Sequence, residues 1–536
     1  MKTNFKPLGI AAAVAAATAS YSSVVSAQAV TVDASDLGSM AVVPYYTVRE
    51  GFGTGVHLTN TSERTQVVKF RLRRGADSMD ALDFNIIMSP KDVWTGFINN
   101  DGDDIVIASQ DTTCTAPAMS NGRFVMPAIY RAGAEEGYVE LIGMGTPVDE
   151  GEPIAYWAEH TTEGVPRNCD YVRSNFFRQG EGPSGTGIVN ASGGAQTLGL
   201  TLDTDGKTVI TGTSDYVAPE NFLKASFFVR DADAGLEFGN SAVHVKDFLT
   251  APSVTNQQSG VNSGDILGFD FPDLDGGVPG VERGRYVELR NAIGGASVIN
   301  DWSANGDLNV GTDWVITVPG QYTMVDLPAY FASLNAMQSE PNATNTNAWS
   351  GDDGDGDGVT DYCTRTGIAP SAANPAGVAP CDFRDIPLTA TFDVYDREEQ
   401  QIQEEQGDLV VSPSLPGETV RTILPAEVNV VSWGVEPVLD SPQAITVEQP
   451  GIYGWAELSV VGATSGTREV CNPVTTDTAS PIGTDIVSGL VCTDITASAD
   501  ATIPMVGFVA WERSFASNPD ANYGRMVEHS YGVTSS

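Results

Sequence analysis

Apolar and polar side chains take turns along residues 66 to 88: Val68, Phe70 and Leu72 alternate with Lys69, Arg71 and Arg73, and Phe84, Ile86 and Met88 continue the rhythm. Far downstream, Leu388, Ala390, Phe392 and Val394 alternate with threonine and aspartate in the same way. A period of two puts successive side chains on opposite faces of a strand, so these runs predict half-buried strands of packed antiparallel sheets. Helical periodicity beyond the N-terminal region is confined to Asp396–Gln406, which is nearly all polar, and to the short Pro328–Met337. With 56 glycines and 30 prolines punctuating short strands, the pattern predicts an all-β chain of antiparallel β-sandwich, Ig-like domains with long loops.

A faint internal repeat refines this. Phe70-Arg-Leu72, Ser89-Pro90 and Tyr138-Val-Glu-Leu141 recur in the same order as Phe392-Asp-Val394, Ser412-Pro413 and Trp455-Ala-Glu-Leu458. The shared order suggests two tandem sandwiches that arose by duplication. The expected joint lies near residue 305, with a first domain over 28–304 and a second over 305–536. Within the second, residues 339–386 form a Gly-, Asp-, Asn- and Pro-rich insertion without apolar periodicity, too polar to order itself by burial.

Residues 1–27 read as a cleaved export signal. Lys2 and Lys6 supply the charged start, Leu8–Ala17 the apolar run and Val25-Ser26-Ala27 the small-residue cleavage site. No later run approaches the roughly 18 apolar residues of a spanning helix, so a secreted or cell-surface location without a membrane span is expected. Six cysteines suit an oxidising compartment. Proximity in sequence favours Cys114 with Cys169, Cys363 with Cys381 and Cys471 with Cys492, although six cysteines allow fifteen pairings.

Charge excludes one class of partner. With 28 basic against 69 acidic residues the formal net charge is -41, which repels nucleic-acid phosphates and anionic membranes. Lysine is scarcer than arginine, a surface composition suited to salty water and pointing to a marine or halophilic bacterium. The expected partners are cations, basic surfaces, neutral polymers such as polysaccharides, other surface proteins or further copies of the chain.

The sharpest chemical signal is Asp353-Gly-Asp355-Gly-Asp357-Gly358-Val359-Thr-Asp361. Carboxylates on alternate residues, a glycine at the sixth position and a carbonyl from Val359 follow the ligand order of a calcium loop, so Asp353, Asp355, Asp357, Val359 and Asp361 are the candidate Ca2+ ligands. The twelfth position is Thr364 instead of a bidentate glutamate. The loop therefore resembles the shorter repeats of thrombospondin type 3 more than an EF-hand. Calcium, with the Cys363–Cys381 pair, would order an insertion that has no core of its own, and chelation should loosen it locally.

Other candidates carry weaker signals. Trp157-Ala-Glu159-His160 places a carboxylate beside an imidazole, a pairing that acid–base work on a polysaccharide could use. A strand end explains the same string without chemistry. Asp101-Gly-Asp103-Asp104 and Asp203-Thr-Asp205-Gly206 read as acidic hairpin tips. Lys69, Arg71, Arg73 and Arg74 form a basic stripe expected on an outer sheet face, either paired with carboxylates of neighbouring strands or open as an intermolecular dock. The catalytic motifs GxSxG, HExxH and the P-loop are absent from the sequence in any fitting context.

Finally, Leu58–Leu72, Asp83-Phe-Asn85 with Ser89–Trp94, Thr312–Pro319, Asp396–Glu399 and Glu427–Val430 resemble segments of an uncharacterised family of exported, β-sandwich-rich proteobacterial surface proteins. The resemblance implies sandwich architecture and a surface location and carries over no catalytic residues. The expected function is that of a non-catalytic cell-surface or extracellular-matrix structural or adhesion protein with calcium-stabilised loops. The alternative is a secreted polysaccharide-binding or polysaccharide-degrading enzyme, with Trp157 and Trp349 as sugar platforms.

Overall fold

A computed structural model describes residues 31–173, 200–254, 289–320, 388–401, 420–473 and 490–532, apart from short gaps within those stretches. It is all-β, with four principal sheets that pack in pairs as two sandwiches. In the first sandwich one sheet is ordered Thr31–Val32, Val243–Lys246, Met40–Thr47, Glu136–Pro147, Gln66–Arg74, Asp80–Met88, Cys114–Ala116. Facing it runs Leu236–Ser241, Leu223–Asp231, Phe52–Asn60, Val93–Asp101, Asp104–Ala108, Arg123–Val125. The predicted alternation carries the core between them. Phe70 and Phe84 of one sheet meet Trp94 of the other at ring-centre distances of 5.5 and 5.8 Å, and Phe84 meets Phe124 at 4.4 Å.

The second sandwich pairs the sheet Val420–Leu424, Leu388–Asp396, Tyr453–Val460, Ser297–Ser303, Ser530–Gly532 with the sheet Ile445–Thr446, Val428–Trp433, Val310–Thr317, Val506–Arg513, Tyr523–Glu528. Trp302 stacks on Trp433 at 5.5 Å and Phe392 lies edge-on to Trp433 at 5.9 Å, closing the core from both sides. Both strands flanking the expected joint, Ser297–Ser303 and Val310–Thr317, lie in this second pair of sheets.

The two sandwiches share their strand order, except that Val428–Trp433 pairs parallel with Ile445–Thr446 where Val93–Asp101 pairs antiparallel with Asp104–Ala108. Phe70 is paired with Leu141 and Leu72 with Val139, as Phe392 is with Leu458 and Val394 with Ala456. The first and third strings of the sequence repeat thus coincide in register, while Ser412-Pro413 lies outside the described residues. Side-chain details repeat as well. Thr54 Oγ1 accepts from Thr47 N and donates to Thr47 O, both at 3.0 Å, and Thr312 does the same with Ser303 at 2.9 Å. Gly137 and Gly454 occupy matching positions. A Cβ on Gly137 would strike the carbonyl of Arg73 and the ring of Tyr46, and one on Gly454 the carbonyl of Tyr395 and the ring of Trp302. Each glycine lets a strand run flush against an aromatic of its neighbour.

The sandwiches share a core. Phe508, on the outer face of the second sandwich, enters the end of the first, with its ring 6.2 Å from Tyr45 and 5.8 Å from Phe227. Val428 N donates to Gly75 O, Thr317 Oγ1 to Pro44 O and Asn522 Nδ2 to Ala234 O across the same junction. Glu136 at its centre accepts from Tyr45 OH and Ser441 Oγ, each at 3.1 Å. Burial raises its carboxyl pKa, against the pull of the nearby Arg49.

Two expectations change. The stretch from Asp396 is not helical over its described part: Asp396 ends a strand, and its carboxylate accepts from Glu398 N and Gln400 N in a tight turn. A segment with no apolar face has nothing to dock, and the aspartate captures the backbone donors locally. Helices occur instead at Pro153–Ala158 and Cys169–Arg173, where Ile154, Ala158 and Val172 join Val67 and Ile87 in a small second core over the outer face of the first sheet.

Candidate functional site

The five candidate calcium ligands, Asp353, Asp355, Asp357, Val359 and Asp361, lie outside the described residues, as do Cys363, Cys381, Trp349, Asp203 and Asp205. Among the described residues no group of three or more His, Cys, Asp or Glu side chains is placed to hold a metal ion.

The described chemistry centres on His160. Helix Pro153–Ala158 ends two residues before it, and a backbone bridge from His160 to Pro166 closes the following loop. The Cys114–Cys169 disulfide, with its Cα atoms 5.1 Å apart, ties this excursion to the strand Cys114–Ala116 and realises the first expected pairing. For another expected pair, the backbone register of the hairpin Thr467–Pro473 and Leu490–Thr496 sets Cys471 opposite Cys492.

Around the imidazole, Nδ1 lies 3.0 Å from Ser89 Oγ and 3.7 Å from Asp92 Oδ2, while Nε2 lies 3.3 Å from Thr112 Oγ1. Asp92 sits in the turn between Asp80–Met88 and Val93–Asp101, where its carboxylate accepts from Ser89 N and Thr113 Oγ1. Burial raises its pKa, and His160 pulls it back. The sequence offered Glu159 as the carboxylate partner. The structure turns Glu159 away to Arg167 at 2.8 Å and brings in Asp92 from a distant turn.

Ser, His and Asp are thus gathered in one place, and their order decides what they can do. A nucleophile relay needs the hydroxyl on one ring nitrogen and the carboxylate on the other. Here Ser89 and Asp92 share Nδ1, and Ser89 is 3% exposed. Thr112 faces Nε2 but is also placed to donate to Gly164 O at 3.1 Å. The constellation is arranged to clamp the 150–173 excursion onto the sandwich. Trp157 serves the same end, packing 5.0 Å from Tyr156 and 5.4 Å from Tyr171 against the second core.

The basic stripe is corrected in one respect: Lys69, Arg71 and Arg73 are buried, not on an open outer face. Lys69 Nζ lies 3.3 Å from Asp83 Oδ2, and Arg73 grips Glu140 through Nε at 2.9 Å and Nη2 at 3.2 Å. Pairing with carboxylates of neighbouring strands is what the geometry supplies. Alternation fixed which sheet face these side chains share, whereas coverage of that face is a tertiary property. The Asp101–Asp104 hairpin tip is held by Arg123 on Asp101 and Arg131 on Asp104. No family model matches the chain, and neither the curated proteins nor the solved structures contain a match to it.

Proposed function

We propose that this chain is an exported, non-catalytic structural or adhesion protein of the bacterial cell surface or extracellular matrix, with calcium ordering the 339–386 insertion. The observation that carries the reading is the fusion of two copies of one sandwich through a shared core, with Phe508 of the second seated in the first. Such a unit is a stiff spacer, since bending it would expose the buried junction. The Cys114–Cys169 disulfide and the clamp around His160 add to that stiffness and suit an extracytoplasmic location.

In this reading Asp353, Asp355, Asp357, Asp361 and the carbonyl of Val359 hold Ca2+, and the loaded insertion contributes to self-association. Sedimentation of the purified chain with calcium, then with a chelator, at high salt tests it. Large species that form with calcium and dissolve on chelation are expected; a monomer unchanged by either treatment would refute calcium-driven assembly.

A further inference from the structure

The duplication offers an internal comparison. In the first sandwich, the end nearest the Thr47–Phe52 hairpin is lined by Val229, Leu236 and Phe238, all buried. The second sandwich packs there, with Gly524 close against Phe238. At the matching end of the second sandwich those positions are Trp511, Tyr523 and Arg525, read off the paired registers. No second domain covers them among the described residues. They line an open cleft of about 440 Å³ between the two sheets, within the range of small-ligand sites.

Three features of this cleft exceed what the fold needs. Its charge is inverted: Arg397, Arg513 and Arg525 line it, while the side chain of its one acidic lining residue, Glu512, points to the other sheet face from Trp511 and Arg513, in a chain with 69 acidic and 28 basic residues. Arg513 and Arg525 make no ion pair among the described residues, while Arg397 is paired with Glu398 at 2.6 Å. Two buried donors, Trp511 Nε1 and Arg513 Nε, have no hydrogen-bond partner among the described residues. Such donors are met by ordered water or by a ligand, and both of these lie on residues that line the cleft.

The third feature is the layout. Trp511 and Arg513 are two apart on one strand, and Arg525 and Tyr523 sit directly opposite them on the next, so rings and guanidiniums form a two-by-two checkerboard. The Arg525 guanidinium rests 4.5 Å from the centre of the Trp511 ring, which holds it in place. Tyr523 and Tyr453 remain about half exposed, at 52% and 42%.

We propose that this cleft binds an acidic sugar, a pyranose ring bearing a carboxylate, as a unit of a uronate-containing polysaccharide. The carboxylate is taken by the Arg513 and Arg525 guanidiniums, whose forked donors match its two oxygens. The apolar face of the ring lies on Tyr523 or Tyr453, and a ring hydroxyl accepts from Trp511 Nε1. An acidic peptide would satisfy the arginines but leave the tyrosine faces without a flat partner. The chain-wide negative charge does not prevent this, because at ~0.15 M salt charges beyond about 8 Å are screened and the nearest arginines dominate.

Isothermal titration of the full, oxidised chain with trigalacturonate tests the proposal, with maltotriose and penta-aspartate as comparison ligands. Saturable binding of trigalacturonate is expected, weakened about ten- to a hundredfold in Arg525→Gln or Arg513→Gln. Thermal unfolding of each variant should match the parent, and Lys224→Gln, on the first sandwich, should bind as the parent does. The proposal is overturned if trigalacturonate does not bind, or if both cleft variants bind it as tightly as the parent. Equal weakening by Lys224→Gln would also overturn it, as a general charge effect. Maltotriose binding as tightly would remove the carboxylate, and penta-aspartate binding as tightly would remove the sugar ring.

Discussion

Truncating Phe508 tests whether the two sandwiches stand or fall together. The ring is 1% exposed and fills the end of the first sandwich against Tyr45 and Phe227, although its backbone belongs to the second. Phe→Ala in a well-packed core costs about 3–5 kcal/mol, the sum of lost transfer energy and the cavity left behind. Two tilted or edge-on ring contacts, at ~0.5–1.5 kcal/mol each, fall within that figure. The junction hydrogen bonds at Gly75, Pro44 and Ala234 remain, each contributing about 1 kcal/mol, so Phe508→Ala should weaken the junction without opening it. Hydrogen exchange resolves where the loss is felt. In the parent, the amides of Gln66–Arg74 and Tyr453–Val460 should exchange with one common free energy, and the variant should lower both together by about 3–5 kcal/mol. A loss below about 1 kcal/mol, or one confined to Tyr453–Val460, would refute the account of a shared core.

The matched glycines make a paired prediction: Gly137→Ala and Gly454→Ala should each destabilise by about 1–3 kcal/mol in denaturant unfolding, and a neutral result at either would break the equivalence. Asp313, buried and accepting from Val438 N and Leu439 N, has its pKa raised to about 6, chiefly by burial. Its folded pKa lies above the unfolded value, so its contribution is complete below about pH 4 and is lost as pH rises through 6. The stability of Asp313→Asn relative to the parent should therefore improve by about 3 kcal/mol between pH 4 and pH 7; a pH-independent difference would contradict this. His529 runs the other way. Burial lowers its pKa to about 4, with Nε2 donating to Val315 O and Nδ1 accepting from Asn300. Its contribution is present above pH 6.5 and lost as pH falls through 4, so His529→Gln should flatten the acid limb of the stability profile. Replacing both Cys114 and Cys169 by serine should cost about 4 kcal/mol in thermal unfolding, from the entropy of the loop they close, their sequence separation being 55. An unchanged midpoint would remove the bridge from the stability account.

The duplication alters how divergence between the sandwiches is understood. Positions that differ most, such as Phe238 against Arg525 and Val229 against Trp511, are those where one copy is plugged and the other is open. Positions that agree, such as Gly137 and Gly454, sit where backbone and ring meet in both. The fold constrains the second kind, and burial by a neighbour the first.

Alternation along Val68–Leu72 and Leu388–Val394 determined that the chain is all-β and which side chains share a face, because pleating links sequence parity to side-chain direction. The repeated strings set the register of the duplication, since Phe70 opposite Leu141 and Phe392 opposite Leu458 follow from one pairing rule. Sequence proximity sufficed for Cys114 with Cys169, whose closure is local to one excursion. What lay beyond the sequence is what depends on approach between distant segments. Parity could not tell that the Lys69–Arg73 face is covered, that Asp92 and not Glu159 stands beside His160, or that Phe508 leaves its own sandwich to complete another. Nor could a net charge of -41 disclose a cleft where arginines outnumber carboxylates, because composition averages over a surface that only the tertiary fold divides.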